Sequence, residues 1–348
     1  MLVAAAFRMP HHVIRELAPQ PNLVHQTVLM DPVRWGFLGA GWLVTTRTAD
    51  AVHEAHNAEL TAVGARDASR AQAVNPKRAY ASYQEVIDDP DVEAVYIALA
   101  NDVHLHWILA ALDAGKHVLC EKPMTMNAEQ TRIAFEAAEA KGLLLVEAVW
   151  MRWHPRMRRI SDLARSGDLG AMTNFDGRFT WETADAAPPG NYRFFPEYGG
   201  GALLDIGVYP LHALVACVPD PNALTVSASS QHLNEHGADL TTELTVTWGE
   251  KTNATITASF EQPATESLSI AFERGEISSL DNEGFCSWRE VARVKINDEI
   301  ESFDATDAYR LMFEAMSSRI RGGDDWLLSP RESIIVAELA DAAVAQAR

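Results

Sequence analysis

Cysteine is scarce in this sequence, and the few cysteines show no pattern. Cys120, Cys217 and Cys286 lie far apart, without the C-x-x-C spacing of redox or metal motifs. An odd number of cysteines also excludes a complete disulfide framework. These features predict a reducing, cytoplasmic setting for the protein.

Positive charge is also in short supply. The chain has 29 lysines and arginines against 48 aspartates and glutamates, so its formal net charge is −19. Because nucleic acids and anionic membrane surfaces attract cationic proteins, this balance disfavours both as partners. An anionic small molecule would need a local cationic pocket.

Long apolar runs and metal-binding patterns are missing as well. No stretch of the sequence approaches the ~20 apolar residues of a transmembrane helix. The N-terminus lacks a basic segment before its short apolar patch, which argues against a signal peptide. The twelve histidines form no H-E-x-x-H or Cys/His pattern, so we expect no metal centre.

The length of the chain predicts two domains. It has 348 residues, of which 47% are hydrophobic, which is enough to build two cores. Residues 1–30 show no periodicity and are predicted to form a flexible extension, with Met30 as an alternative natural start. We expect a first domain over residues 31–150. A second domain would cover residues 151–348, with the last helix packed back on the first domain.

The first of these domains shows alternating strands and helices. Short apolar, often β-branched runs are each followed by a helical segment, which predicts a doubly wound parallel sheet of the Rossmann type. The predicted strands are Val33–Leu38, Leu60–Val63, Val92–Leu99, His117–Cys120 and Leu143–Glu147. The predicted helices are Trp42–Ala55, Ser69–Ala73, Val103–Asp113 and Ala128–Ala140.

The second domain has a different pattern. After a predicted helix over Pro155–Ser166, alternating runs rich in Thr, Ser, Val and Phe predict a large, mainly antiparallel sheet. Two further helices are predicted, one over Asp307–Arg321 and one that starts at Ser329-Pro330. The predicted strands are Thr173–Trp181, Leu224–Ser230, Thr242–Trp248, Ala254–Phe260 and Ser267–Phe272.

A glycine pair follows the first strand. In the run from Gly36 to Val44, Gly39 permits a tight turn and Gly41 lets the backbone approach a pyrophosphate at the start of the next helix. Trp42 and Leu43 begin that helix and are predicted to contact the cofactor. The third fingerprint position carries Val44 instead of a small residue. The pattern predicts a dinucleotide site.

The end of the second strand bears on the choice between NADP and NAD. Arg66 follows small residues there and supplies positive charge for a 2′-phosphate, which favours NADP. The next residue, Asp67, is the competing candidate, because an acid at this place holds the ribose 2′-hydroxyl of NAD. The alternative interpretation is that Arg66 is only a solvated loop residue without a role in cofactor binding. We therefore expect NADP, with NAD as the alternative.

Several longer motifs resemble one oxidoreductase family. Besides the glycine pair, these are the run Asn101–His104, the run Ala114–Pro123 with its Glu-Lys-Pro signature, the run Glu147–Pro155, and Gly199–Pro210. Together they are similar to the Gfo/Idh/MocA oxidoreductases over most of the chain after Val33. The resemblance implies a Rossmann domain joined to an open-sheet domain, and hydride transfer with a nicotinamide cofactor.

The resemblance also implies a catalytic set. Lys122 matches the family's lysine beside the nicotinamide, where an ammonium can stabilise negative charge on a reacting oxygen. Asp205 and Tyr209 lie one helical turn apart. Tyr209, where many inositol-type relatives have His, matches the branch of glucose–fructose oxidoreductase, xylose dehydrogenase and dimeric dihydrodiol dehydrogenase. Tyr209 would exchange the substrate proton, with its pKa lowered by Lys122, and Asp205 would position the lysine or a substrate hydroxyl. The alternative for Tyr209 is a packed core tyrosine beside Pro210.

Other motif residues are expected at the edges of the same site. Asn101 is either a cofactor contact or a helix cap, and His104 lies either at the cofactor or substrate edge or at a cap. Arg152 and His154 either face cofactor and substrate or pair with acids at the domain junction. The remaining predicted contacts are Glu121 for the cofactor and Arg193 for the substrate.

The sequence thus predicts an NADP-dependent oxidoreductase for a sugar, polyol or cyclic diol. A trans-dihydrodiol dehydrogenase and a non-catalytic NADP-sensing regulator are the alternatives, as is an interaction protein with a vestigial nucleotide site. Residues 31–150 would form the nucleotide-binding domain, and residues 151–348 the substrate-binding and oligomerisation domain. The predicted open sheet face and the relatives both imply a homodimer or homotetramer.

Overall fold

A computed structural model describes residues 31–183, 190–249, 252–280 and 282–347 of the chain. The extension and the alternative start predicted for residues 1–30 lie outside the described residues. Asp31–Arg348 form one compact unit. The division of this unit near residue 150 therefore stays a prediction, although its two sheets can be described separately.

The first sheet has six strands in the order β3-β2-β1-β4-β5-β6, and all of its pairs are parallel. Its strands are β1 (Val33–Leu38), β2 (Ala58–Gly64), β3 (Arg78–Tyr80), β4 (Ala94–Ile97), β5 (His117–Glu121) and β6 (Leu145–Ala148). The apolar runs of these strands are almost entirely buried, as expected for a parallel sheet covered on both faces. The strand order reverses between β1 and β4, which opens a crevice at their carboxyl ends.

Short helices connect these strands. They are α1 (Ala49–Glu54), α2 (Ala68–Gln72), α3 (Tyr83–Asp88), α4 (His104–Asp113) and α5 (Ala128–Lys141). A π-helical turn, Val44–Thr48, precedes α1, so the helix predicted from Trp42 is present but widened in its middle. The sequence analysis missed α3, because six residues carry too little periodicity. Ser82 caps α3 by accepting a hydrogen bond from the Gln84 amide at 3.2 Å.

The second sheet has eight strands in the order β14-β13-β12-β11-β7-β10-β9-β8. Its strands are β7 (Met172–Thr180), β8 (Thr225–Leu233), β9 (Asp239–Trp248), β10 (Thr252–Ser259), β11 (Thr265–Phe272), β12 (Gly275–Ser278), β13 (Ala292–Ile296) and β14 (Glu299–Phe303). The pair β7–β10 is parallel and the others are antiparallel. The predicted mainly antiparallel sheet is confirmed, and β12–β14 extend it at one edge.

Helices cover one face of this sheet. They are α6 (Pro155–Ser166), α7 (Val208–Cys217) and α9 (Pro330–Gln346). The residues that face them, such as Phe175, Ile256 and Ile270, are fully buried, whereas Glu243 and Ser269 on the other face are exposed. The sheet thus has one apolar covered face and one polar face.

The segment Pro196–Cys217 corrects one expectation from the sequence. Its 22 residues have the length and mean hydropathy, 1.4, of a membrane span, whereas no such stretch was expected. However, 89% of its apolar window is buried inside the molecule. Its apolar character is therefore explained by α7, all of whose residues are buried between the second sheet and the other helices.

The two C-terminal helices pack against the first sheet's helices and strands. Helix α8 (Ala308–Ile320) places Phe313 against Phe37, with ring centroids 5.6 Å apart. Helix α9 begins with the capping box of Ser329 and Glu332. It lies against α5, where Arg132 and Glu338 form an ion pair at 2.8 Å.

Candidate active site

The glycine turn after β1 has the shape of a dinucleotide cradle. Gly39 has φ +108°, and a Cβ there would lie 2.4 Å from the Ala98 carbonyl oxygen, so only glycine fits. A Cβ on Gly41 would meet no atom of the described residues within 4 Å, so its backbone is open to a ligand. Val44 is fully buried under the helix. The turn therefore fits a pyrophosphate at the helix N-terminus.

The first two residues of this helix differ in exposure. Trp42 is 68% exposed, beside the open turn, whereas Leu43 is half-buried and packs against the core. The Arg47 guanidinium lies 5.3 Å from the Trp42 ring centroid and only 3.7 Å from that of Trp288. Trp42 is thus placed to contact a ligand in the cradle, and Leu43 contributes mainly to packing.

The carboxyl end of β2 carries the residues that bear on the choice between NADP and NAD. Arg66 is exposed there. The Asp67 carboxylate accepts a hydrogen bond from the Ser69 amide at 2.8 Å and caps α2, and this bond lowers the Asp67 pKa. Arg70 donates to the Ala40 carbonyl of the glycine turn at 2.9 Å. The sequence analysis missed Arg70, although its place in the first turn after the candidate ribose residues was a usable signal.

Lys122 follows the last residue of β5 and lies in an ion-pair network. Its Nζ donates to the backbone carbonyl of Asp205 and to Asp205 Oδ1, the latter at 3.0 Å. The peptide between Lys122 and Pro123 is cis. Arg193 Nε donates to the other carboxylate oxygen of Asp205 at 2.7 Å. The structure therefore brings together three predicted site residues from three separate segments of the chain.

The Asp205 carboxylate is ionised over the whole physiological range. Burial acts to raise its pKa, but the charges and hydrogen bonds of Lys122 and Arg193 outweigh burial and hold the pKa to about 2. Asp205 lies in a π-helical turn, Leu203–Gly207, that runs directly into α7. The lysine ammonium thus has a fixed anionic partner.

Tyr209 lies in the first turn of α7, beside Lys122. The Lys122 Nζ is 5.1 Å from the centroid of the Tyr209 ring, and the phenol oxygen accepts a hydrogen bond from Trp150 Nε1 at 3.1 Å. Tyr209 is only 7% exposed. The prediction that Lys122 lowers the Tyr209 pKa is wrong for this structure, because burial of the phenol raises that pKa well above its ordinary value.

Trp150 was also missed from the sequence. It donates to the Tyr209 hydroxyl and stacks on Tyr309 with ring centroids 4.9 Å apart. It stands in the Glu147–Pro155 motif, of which the sequence analysis singled out other members. The sequence alone could not identify Trp150 as a site residue, because a tryptophan buried in the core would look the same in this motif.

Glu121 lies beneath the site. Its carboxyl is buried and accepts a hydrogen bond from the Tyr96 hydroxyl at 2.6 Å, inside the first sheet. Burial raises the pKa of Glu121 to about 7, although the Tyr96 bond and Lys122 oppose this rise. The Glu121 carboxyl thus binds a tyrosine inside the sheet, and its contact with the cofactor stays a prediction.

Asn101 and His104 correct two further expectations. The Asn101 side chain does not cap its helix, because its Nδ2 donates to the Gly199 carbonyl at 2.8 Å. His104 is fully buried, with its ring nitrogens 3.0 Å from the Pro123 carbonyl and 3.2 Å from the Leu99 carbonyl. Burial also lowers the His104 pKa. The edge position predicted for His104 is wrong, since its polar atoms support the backbone behind the Lys122 turn.

Arg152 and His154 likewise have structural partners. Arg152 is 4% exposed and forms an ion pair with Glu332 of α9 at 2.7 Å. The His154 Nδ1 accepts the Arg156 amide hydrogen at 3.1 Å and caps α6, and burial lowers the His154 pKa to about 4. The predicted contacts of these two residues with cofactor and substrate are not supported. The alternative of an acid pair at this junction is correct for Arg152.

The first sheet provides a glycine turn for a dinucleotide, with Lys122 at the end of β5. The segment with Asp205 and Tyr209, which packs on the second sheet, lies against this lysine. This arrangement is that of a nicotinamide-dependent oxidoreductase. Residues 33–148 match the model of the oxidoreductase family with an NAD-binding Rossmann fold, GFO_IDH_MocA. Residues 157–278 match the GFO/IDH/MocA C-terminal domain. The chain belongs to the Gfo/Idh/MocA family.

Its relatives are named dehydrogenases and reductases. The D-xylose 1-dehydrogenase (NADP(+)) 2 of Haloferax volcanii is 30% identical over 88% of this chain and 95% of its own length. The trans-1,2-dihydrobenzene-1,2-diol dehydrogenase of Bos taurus is 30% identical over 72% of this chain and 74% of its own length. These similarities support an oxidoreductase that acts on CH–OH groups.

One solved structure matches nearly the whole fold. A 3-ketoreductase from Actinomadura kijaniata, in complex with NADP and TDP-benzene, has a TM-score of 0.82 and 28% identity. The match covers 91% of this chain and 98% of that one. The predicted fold class, a Rossmann sheet followed by a mainly antiparallel sheet, is confirmed. The protein is an NAD(P)-binding oxidoreductase.

Proposed function

We propose that this protein is an NADP-dependent oxidoreductase that transfers hydride between nicotinamide and a carbinol or carbonyl carbon. The substrate class is a sugar, polyol or cyclic diol. The observation that carries this proposal is the contact of Lys122 with Asp205 beside Tyr209, at the carboxyl edge of the Rossmann sheet. The bound nicotinamide would supply or accept the hydride at its C4 atom.

The side chains of this chain would manage the proton and the charge on oxygen. In reduction, the carbonyl carbon gains the hydride and its oxygen takes a proton, for which Tyr209 is the donor, because its raised pKa keeps the phenol protonated. Lys122 would orient that oxygen and stabilise its developing negative charge. Oxidation is the reverse step: the phenolate form of Tyr209 takes the proton of the substrate hydroxyl as hydride leaves the same carbon for the nicotinamide. Asp205 holds the ammonium in place throughout.

The preference for NADP rests on the end of β2. Arg66 is exposed there, and Arg70 contacts the glycine turn at 2.9 Å, which brings two cations towards the ribose of a dinucleotide in the cradle. The competing acid, Asp67, already caps α2. A 2′-phosphate would thus meet guanidinium groups, while the second oxygen of the exposed Asp67 carboxylate keeps NAD as the alternative.

The substrate class draws on both the cleft and the relatives. Arg193 is about one-third exposed while it binds Asp205, so its remaining N–H groups are available to substrate oxygens. The relatives are named for D-xylose and a dihydrodiol, and the solved structure holds TDP-benzene. Polyhydroxylated substrates are common to the first two names and suit several polar donors around one reacting carbon.

A screen of substrates with both cofactors tests the proposal. Purified protein is mixed with NADP or NAD and with pentoses, hexoses, polyols and a cyclic dihydrodiol, and the absorbance of the reduced nicotinamide is followed. We expect turnover with at least one of these, and a higher kcat/KM with NADP. Tight NADP binding without turnover on any compound, in either direction, would favour the NADP-sensing alternative. No nucleotide binding by calorimetry would favour an interaction protein.

We also propose that the chain forms a homodimer or homotetramer through the polar face of the second sheet. On that face the exposed residues include Glu243 and Ser269, on strands whose opposite side is buried. Light scattering of the purified protein measures the assembly, and a monomer at working concentration would contradict this proposal.

A further inference from the structure

A buried aspartate lies behind the catalytic helix, outside the candidate catalytic set. Asp239 is the first residue of β9 and is 8% exposed. Its Oδ2 accepts the Leu203 amide hydrogen at 2.8 Å and the Thr242 hydroxyl hydrogen at 2.6 Å. Leu203 is the first residue of the π-helical turn that carries Asp205. The carboxylate of Asp239 therefore caps the beginning of that turn.

The backbone before this turn is pressed against the same carboxylate. Gly201 has φ +120°, and a Cβ there would lie 1.9 Å from Asp239 Oδ1. The Gly201 carbonyl accepts the Asp205 amide hydrogen at 3.1 Å, and the Gly201 amide donates to the Arg193 carbonyl at 2.8 Å. Gly201 thus connects Asp239 to both partners of the Asp205–Arg193 pair. Only glycine fits at this position, because a side chain would collide with the Asp239 carboxylate.

We propose that Asp239 is a positioning residue of the active site: it holds the start of the helical segment with Asp205 and Tyr209, so that Asp205 faces Lys122. This inference rests on the proposed function. Asp239 does not touch the reacting atoms. It acts through two backbone contacts, at Leu203 and Gly201, on a segment whose register sets where the Asp205 carboxylate lies.

The protonation of Asp239 gives this role a pH signature. Burial raises its pKa to about 6, while the bonds from Thr242 and Leu203 act against the rise. A carboxyl protonated on Oδ1 still accepts both bonds at Oδ2, but as a neutral acceptor it holds them more weakly than the carboxylate does. Of the charged groups on the neighbouring segments, Asp205 pairs with both Lys122 and Arg193, and His232 of β8 pairs with Glu261. The anchor is therefore complete above pH 6 and weakened below it.

The test compares Asp239→Asn with Asp298→Asn, an exposed aspartate in the turn between β13 and β14. At pH 8 we expect Asp239→Asn to lower kcat about tenfold or more, the scale of one hydrogen bond to a charged group, with the Kd of NADP unchanged. The ratio of wild-type to variant kcat should shrink towards one below pH 6, because the wild-type carboxyl is then protonated. Asp298→Asn should match the wild type throughout.

Two outcomes overturn the inference. One is a folded Asp239→Asn enzyme with wild-type kcat and pH profile. The other is a loss of kcat that is the same at pH 5 and pH 8. If Asp239→Asn does not fold, Thr242→Val, which removes one of the two bonds, should show a smaller loss of kcat with the same unchanged Kd, and an unaltered kcat would count against the role.

A structural readout separates this inference from the proposed function. If the wild type turns over no substrate, crystal structures of the wild type and Asp239→Asn still report the distance from Lys122 Nζ to Asp205 Oδ1. We expect this distance to lengthen beyond 3.0 Å in the variant. An unchanged distance overturns the positioning role, whatever the protein's activity.

Discussion

Lys122 and Asp205 are joined by a hydrogen bond of 3.0 Å between Nζ and Oδ1, although 83 positions separate them in the chain. Each side chain is only 12% exposed. The lysine comes from the end of a Rossmann strand, and the aspartate comes from a helix that packs on the second sheet. The bond thus fixes a cation where hydride would be exchanged, and the predictions below depend on it.

Replacing Lys122 should remove catalysis and spare cofactor binding. Lys122→Met keeps the length of the side chain but removes the charge that stabilises the reacting oxygen, so we expect kcat to fall by about 10²–10³. Stopped-flow kinetics measures kcat, and fluorescence titration measures the Kd of NADP. Lys141→Met, on the outer surface of α5, is the matched control. A near-normal kcat for Lys122→Met would remove the catalytic role.

Replacing Tyr209 isolates its hydroxyl. Tyr209→Phe retains the ring that packs beside Lys122 and Phe179 but removes the proton donor, so kcat should fall by about 10²–10⁴. The high-pH limb of the rate profile, which reports loss of the phenol proton, should disappear with it. Tyr83→Phe, in α3, serves as the control. Retention of wild-type rates across the profile would show that another group donates the proton.

The two arginines at the end of β2 should set cofactor preference. Arg66→Met combined with Arg70→Met removes both cations, and we expect kcat/KM for NADP to fall about 10–100-fold, the scale of charged hydrogen bonds. The value for NAD should fall less, through loss of the Arg70 contact with the glycine turn alone, because NAD carries no 2′-phosphate. Steady-state kinetics with both cofactors gives the ratio. An equal fall for NADP and NAD would mean that the arginines support the fold of the turn and do not select the phosphate.

Glu121 should make stability fall between pH 5 and pH 7. Its pKa is raised to about 7 in the folded protein, above the ordinary value of 4.5. The folded state therefore binds a proton in this interval that the unfolded state has lost, and stability declines by up to about 1.4 kcal/mol per pH unit. Glu121→Gln, which stays neutral, should lack this contribution. Urea unfolding of both proteins at pH 5 and pH 7 measures it, and parallel pH trends would contradict the raised pKa.

Most of the strands and helices of both sheets could be predicted from the sequence. The strand β1 and the helix α6 have the predicted bounds, because a buried strand and a capped amphipathic helix produce strong local patterns. The helix α3 and the strands β3 and β12–β14 were missed. They are short, and their residues are stabilised by neighbours distant in the chain, so no local pattern distinguishes them from loops.

The residues of the candidate site could also be predicted only in part. Lys122, Asp205 and Arg193 were predicted from motifs and do meet in the structure. His104 and Arg152 come from equally clear motifs, yet their polar atoms bind carbonyl oxygens and Glu332 inside the protein. A motif identifies a polar residue, but it does not show whether that residue binds a ligand or another part of the protein.

By itself, the sequence determined the class of the protein. The alternation of strands and helices and the glycine pair predict a Rossmann domain, because both depend on backbone rules that act over a few residues. The Glu-Lys-Pro signature adds the oxidoreductase class through the family resemblance. Only the tertiary structure decided which polar side chains face the cleft, that burial raises the Tyr209 pKa, and that Asp239 supports Asp205. Those properties depend on burial and on contacts between distant segments, which the order of residues along the chain does not display.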